Sequence, residues 1–269
     1  MTSSPLKIGI VGCAGRMGRM LIQEILATPG CMLAGGTEPA GPAVGSDLGL
    51  LVGPKPVGVS VMADAEKLFA VSDTVIDFTV PAATLWHTRL AAKTGKTLIV
   101  GTTGLDESIL GALAEAGKTA AVVHAPNFSL GVNVMFAVTE KIAATLGPDY
   151  DIDILEMHHR HKVDAPSGTA LGLGEAAAKG RNVKLANVWR KSRDGQVGPR
   201  PTGEIGFATL RGGDVVGDHT VMFAAEGERI ELTHRASSRA VFAKGAVRAA
   251  LWARGRGPGL YSMRDVLGL

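Results

Sequence analysis

LKIGIVGCAGRMG, residues 6–18, joins a short apolar, β-branched run to three glycines spaced three apart, Gly12, Gly15 and Gly18. The run reads as a buried parallel strand. From Gly15 the segment GRMGRMLIQEILATPG carries apolar side chains at Met17, Leu21 and Ile25 and stops at a Pro-Gly pair, which reads as a helix. Strand, glycine turn and helix together make a site where backbone N–H groups and the helix dipole can hold a pyrophosphate. Glycines also serve ordinary strand-to-helix turns, so the triplet needs a partner. Glu38 is that partner: it ends the next strand-like run, CMLAGGTE (31–38), 20 residues past Gly18. An acid there accepts hydrogen bonds from the ribose hydroxyls of an adenine dinucleotide. A solvated turn residue is the alternative reading of Glu38.

Outward from this unit the same alternation repeats. TVIDFT (74–79), TLIVGTT (97–103) and AAVVHAP (120–126) read as strands, with AATLWHTRLAAKTG and DESILGALAEAGK as helices between them. Such alternation predicts a parallel, doubly wound sheet. DFT (77–79), GTTG (101–104) and APNF (125–128) then fall at strand ends on the ligand side, although each alone also suits a structural turn. From about residue 127 the pattern changes. A long helix ending at Gly147, a strand in YDIDILEMHH and a helix opened by Ser167 precede three strand-like runs between 204 and 236. Gly-Gly-Asp and Glu-Gly-Glu separate these runs, which predicts an antiparallel meander in a second, α+β domain carrying a mixed or antiparallel sheet. A last helix, SRAVFAKGAVRAALWARG, could return to either domain.

Composition narrows the function. The formal charge is +3 with Lys and Arg scattered, which argues against nucleic acid as a partner. Cys13 and Cys31 form no C-x-x-C pair and suit a reducing compartment. No continuous apolar run of membrane-spanning length and no signal-peptide plan is evident, so a cytoplasmic location without membrane association is expected.

Against that near-neutral background, EMHHRHKVDAPSGTA (156–170) places His158, His159, Arg160, His161 and Lys162 side by side. A solvated charged loop is the plain reading. A zinc site is disfavoured, since His158 and His161 lack neighbouring cysteines and well-placed carboxylates, and no metal is expected. The third reading draws on the residues beyond Lys162: a proline-marked turn and a helix start at Ser167, Gly168 and Thr169, whose N–H groups and hydroxyls suit a carboxylate. Cations beside a helix N-terminus describe a small dianion site, and a histidine there can deliver a proton near neutral pH.

GCAGRMG, DFT, GTTG, APNFSLGVN and above all EMHHRHKVDAPSGTA resemble the 4-hydroxy-tetrahydrodipicolinate reductases (dihydrodipicolinate reductases) of lysine and diaminopimelate synthesis. The resemblance extends over essentially the whole chain, including GEIGFATLRGGDVVGDHTVMFA and ERIELTHRASSR. It implies an α/β fold in which a Rossmann-type domain, residues 1–127, is rejoined by 237–269, and a substrate-binding and tetramerising domain spans 128–236. It further implies reduction by NADH or NADPH. Dinucleotide contacts carried over from the family are Gly12, Cys13, Ala14, Gly15, Arg16, Met17, Glu38, Gly101, Thr102, Thr103, Ala125, Pro126, Asn127 and Phe128. His158 would be the proton donor with Lys162 its partner, and His159, Lys162, Gly168 and Thr169 would hold the dicarboxylate substrate. At one place the chain departs from the family pattern: Pro39 follows the acid where an arginine able to meet a 2'-phosphate is usual. NADH is therefore expected to serve at least as well as NADPH.

Overall fold

The computed structural model describes residues 4–269 and divides into two compact units. One runs through Ser129 and resumes at Ala240–Gly268, and the other is Leu130–Arg239. In the first, β1 (Leu6–Val11), α1 (Arg16–Ala27), β2 (Cys31–Thr37), β3 (Val61–Met62), α2 (Ala65–Val71), β4 (Thr74–Asp77), α3 (Pro81–Thr94), β5 (Thr97–Val100), α4 (Glu107–Ala116) and β6 (Ala121–His124) follow one another. The second unit holds α5 (Leu130–Leu146), β7 (Asp151–His158), α6 (Gly168–Gly180), α7 (Leu185–Val188), β8 (Trp189–Arg190), β9 (Ile205–Arg211), β10 (Gly217–Ala225) and β11 (Glu228–Ala236). The chain then returns to the first unit with α8 (Ala240–Ala253), β12 (Gly259–Tyr261) and α9 (Met263–Leu267).

All strands of the first sheet are parallel, in the order β12-β6-β5-β4-β1-β2-β3. Being covered on both faces, they are apolar almost throughout: Ile8, Ile10, Val75, Ile76, Leu98, Ile99, Val122 and Val123 are fully buried. β1 and β4 are neighbours while the chain between them visits β2 and β3, so the strand order reverses there. That reversal opens a crevice beyond the carboxyl ends of β1 and β4. α1 buries Gly18, Leu21, Ile22 and Ile25, a single stripe at helical spacing. Helix ends follow local chemistry: the Asp64 side chain caps α2, Asp106 caps α4, and Gly95, in the left-handed region at φ 66°, ends α3.

The second sheet corrects one expectation. Its order is β11-β10-β7-β9-β8, so β9, β10 and β11 do not form a meander. β10 and β11 are an antiparallel hairpin, but β7 lies between β10 and β9 and pairs with β9 in parallel. The cause is the crossover: α6 packs on β7 and returns the chain in the same direction, leaving β9 on one edge of β7 and β10 on the other. Gly212 and Gly213 therefore lead over β7 rather than into a tight hairpin. The core of this unit joins Ile152 and Ile154 of β7, Phe207 of β9 and Val221 and Phe223 of β10 to Ala170, Leu173 and Ala177 of α6. One helical segment among the described residues, Leu130–Asp149, is by length and composition apolar enough to cross a membrane, with mean hydropathy 1.2, although Glu140 and Lys141 interrupt it. In this fold its Met135 and Ala143 join the same core, and Glu140 pairs with Lys179 of α6 at 3.0 Å.

Candidate active site

The glycine turn leaves β1 at Gly12, whose φ of 70° favours glycine. Gly12 and Cys13 both donate backbone N–H bonds to the Thr37 carbonyl, at 2.9 and 3.1 Å, binding the turn to the end of β2. A Cβ on Gly18 would lie 2.6 Å from Cys13 Cα, so glycine is what lets α1 start against the turn. Glu38 reaches over this turn and accepts the Ala14 N–H at 2.5 Å. Together these groups border a cavity of about 540 Å³ lined by Gly12, Gly15, Glu38, Pro39, Thr79 and Trp86, among others. Among the described residues, no lysine or arginine lines it.

Of the residues expected to meet the dinucleotide, the structure brings Gly12, Gly15 and Glu38 to this cavity, whereas Cys13, Ala14, Arg16 and Met17 belong to the turn and helix start without lining it. Gly101, Thr102 and Thr103 follow β5, and Ala125, Pro126, Asn127 and Phe128 follow β6, at neighbouring strand ends. Phe78 connects the three places. It lines the cavity, its ring centroid is 5.5 Å from that of Phe128, and it fills the space a side chain on Gly101 would need. Beneath them lies a buried network that the sequence did not flag: Asp77 accepts from Thr79 at 2.6 Å and Thr102 at 3.2 Å, and meets His87 Nδ1 at 2.8 Å. Burial opposes ionisation of Asp77, but the hydrogen bonds from His87 and Thr79 outweigh it and hold the carboxyl below its ordinary range.

In the second unit the run of five basic residues does not act as one block. Arg160 and His161 are exposed, as in a solvated loop, while His158 is buried at 8% exposure. β7 alternates inward and outward, so Glu156 and His158 share its inner face. His158 Nδ1 lies 2.5 Å from Glu156 Oε2, and its ring meets that of His219 edge-on at 5.1 Å. Glu156 also receives both Nη atoms of Arg211, at 2.7 and 2.9 Å, and the Ser167 N–H at 3.0 Å. Burial raises the Glu156 carboxyl, yet the bonds from Arg211, His158 and Ser167 prevail and keep it below the usual glutamate range. Burial, with His158 alongside, pushes His219 down to about 4, so it remains neutral at neutral pH. Lys162 Nζ pairs with the half-exposed Asp164 at 2.8 Å and holds that carboxyl low. His159 places Nε2 3.3 Å from Arg239, and its buried Nδ1 has no partner among the described residues.

Ser167 departs from its expected role. Its hydroxyl caps α6 by accepting the Ala170 N–H at 3.1 Å and meets His219 Nε2 at 3.1 Å, while its N–H goes to Glu156. Both its N–H and its hydroxyl are therefore committed to the fold; of the next two residues of α6, Gly168 is exposed and Thr169 is half-buried. Among the described residues, no group of three or more His, Cys, Asp or Glu is arranged to hold a metal ion.

Comparison with known proteins agrees with this layout. The family model for the N-terminus of dihydrodipicolinate reductase matches residues 6–128, and that for its C-terminus matches residues 131–267. The 4-hydroxy-tetrahydrodipicolinate reductase of Methylocella silvestris is 54% identical over 265 residues, covering 98% of this chain and 97% of that protein. That of Dinoroseobacter shibae is 53% identical, covering 97% of this chain and 98% of its own. A dipicolinate-bound dihydrodipicolinate reductase from Paenisporosarcina sp. TG-14 shares the fold, with a TM-score of 0.76 at 24% identity over 96% of this chain and 97% of that one. With both units matched end to end, the chain belongs to the dihydrodipicolinate reductase family.

Proposed function

We infer that the protein catalyses the NAD(P)H-dependent reduction of 4-hydroxy-tetrahydrodipicolinate, by way of dihydrodipicolinate, to tetrahydrodipicolinate in lysine and diaminopimelate biosynthesis. The observation that carries this reading is a buried histidine, His158, held by an ionised carboxylate and followed by Lys162 and the start of α6. This is the equipment for protonating a small dianion. A reduced nicotinamide, when bound, would supply the hydride for C4 of the ring, leaving an enamine that needs a proton at C3. His158 delivers that proton. Lys162, exchanging Asp164 for a substrate carboxylate, and the positive end of the α6 dipole at Gly168 and Thr169 hold the dianion, and the unpartnered Nδ1 of His159 supports the same role. In the first unit, the turn at Gly12–Met17 and Glu38 would hold the pyrophosphate and adenosine ribose, with the turns at 101–103 and 125–128 toward the nicotinamide. Oxidation of NADH by the purified protein should require the condensation product of aspartate semialdehyde and pyruvate. Binding of NADH without such turnover would refute the assignment.

The lining of the cavity supports a preference between the two nucleotides. Glu38 accepts from a free 2'-hydroxyl but repels a 2'-phosphate, and exposed Pro39 provides neither charge nor donor to offset it. NADH is thus expected to serve at least as well as NADPH. Pro39→Arg should raise kcat/KM for NADPH relative to NADH by about tenfold, equivalent to one partly exposed charge-assisted contact of ~1.4 kcal/mol. Both proteins should be assayed with both cofactors at one low ionic strength, where screening is least. A marked wild-type preference for NADPH would contradict the argument.

A homotetramer is the assembly expected from the family. Support comes from β11, an edge strand whose residues are largely exposed, Ile230 at 39%. Such an edge invites pairing with another copy. Sedimentation at micromolar concentration should give four copies; a monomer would refute it.

A further inference from the structure

Glu156 is 1% exposed, and a buried carboxylate is costly unless its oxygens are satisfied. Here each oxygen takes two donors. Oε2 accepts from His158 Nδ1 and Arg211 Nη1, and Oε1 from Arg211 Nη2 and the Ser167 N–H. Arg211 Nη2 also donates to the Asp164 carbonyl at 2.6 Å, and Asp164 in turn holds Lys162. One carboxylate therefore joins three separate pieces: the buried histidine on β7, the N-cap of α6 and the loop that bears Lys162. Strand register makes this possible, since Arg211 stands opposite His158 on β9 and His219 opposite Glu156 on β10.

A purely structural ion pair would need only Arg211. The 2.5 Å approach to Nδ1 does something more: an ionised carboxylate accepts and cannot donate, so the proton on that side of the ring must sit on Nδ1. Nε2 is then the atom left to give up a proton and regain one. A ring flip would set carbon against the carboxylate and forfeit the bond.

We propose that Glu156, clamped by Arg211, is the positioning residue of the proton donor: it keeps Nδ1 of His158 protonated, so that the imidazolium delivers from Nε2 and is left as the Nδ1–H tautomer, and, through the Ser167 N–H, ties that donor to the start of α6. The role rests on the reading of His158 as donor. Glu156→Gln keeps the shape but leaves one acceptor oxygen in place of two, so an NH2 donor must face either His158 Nδ1 and Arg211 Nη1 or Arg211 Nη2 and the Ser167 N–H, and the negative charge that fixes the Nδ1 proton is gone. It should lower kcat by roughly 10²-fold, the scale of a misplaced general acid, with KM for the dicarboxylate and Kd for NADH within about threefold of wild type. Because Glu156 acts through His158, the double variant Glu156→Gln/His158→Ala should be no slower than His158→Ala alone. Wild-type kcat in Glu156→Gln, or a double variant slowed by the product of the two effects, would overturn the proposal. Should Glu156→Gln fold poorly, imidazole NMR of the ¹⁵N-histidine-labelled wild-type protein decides: His158 must show a protonated Nδ1 with a strongly downfield proton, and an unprotonated Nδ1 overturns it. The two readings separate cleanly. If His158→Ala turns over normally, the assignment of the donor fails; if His158→Ala is slow and Glu156→Gln is not, only the role of Glu156 falls.

Discussion

His158→Ala is expected to lower kcat by about 10²-fold or more, the loss that accompanies removal of a positioned general acid. The ring is 8% exposed and fixed by a hydrogen bond on Nδ1, so bulk water cannot readily replace it as donor. Binding should change little by comparison. In the proposed reading NADH is held by the first unit, and Lys162, Gly168 and Thr169 remain for the dicarboxylate. The fold should also persist. Glu156 loses one of four donors but keeps both from Arg211 and the one from Ser167, and the cost of one lost partner in a buried site is about 1–3 kcal/mol. Steady-state kinetics beside thermal unfolding tests this, and wild-type turnover in the folded variant would remove His158 from the chemistry.

Gly18→Val should damage both stability and nucleotide binding. The added Cβ would stand 2.6 Å from Cys13 Cα, and the obstacle is backbone rather than a flexible side-chain end, so α1 must move away from the glycine turn. Overpacking of this kind costs about 1–3 kcal/mol, which for a chain of this size corresponds to a fall in Tm of roughly 2–10 °C. Displacing the turn also misdirects the N–H groups proposed to hold the pyrophosphate. Weakening two charge-assisted bonds by ~1.5 kcal/mol each raises Kd for NADH about 10²-fold. Gly111→Ala on α4 is the control, because open space surrounds the new carbon there and helix propensity favours it. Its Tm should be no lower than wild type, while unchanged NADH affinity in Gly18→Val would contradict the role given to the turn.

The parts legible in the sequence are those fixed by local patterns. The strand read over 6–11 and the helix opened by Ser167 stand where apolar spacing and capping chemistry put them, and the alternation of the first half does produce a parallel sheet. The short α2 escapes apolar periodicity, although Asp64, capping the N–H groups of Glu66 and Lys67, is an ordinary start signal. The pairing of β9 with β7 is not legible, because the Gly-Gly-Asp turn looks the same whether the next strand pairs beside its predecessor or passes over a third. The same limit hides the support of the candidate site. Glu156, Arg211 and His219 lie far apart in the chain and meet only through register across β9, β7 and β10, which no short-range period encodes. Ser167 misleads for the opposite reason: its capping role is local and visible, but His219 and Glu156, which occupy its remaining groups, are not neighbours in sequence.

The central claim is hydride transfer from reduced nicotinamide to the ring of a dicarboxylate, and tracing the isotope tests it most directly. With NADH deuterated at both C4 positions and the freshly formed condensation product of aspartate semialdehyde and pyruvate, the tetrahydrodipicolinate released should carry one deuterium at its C4 for each NADH oxidised. Oxidation of the deuterated NADH without deuterium at that carbon would contradict the account.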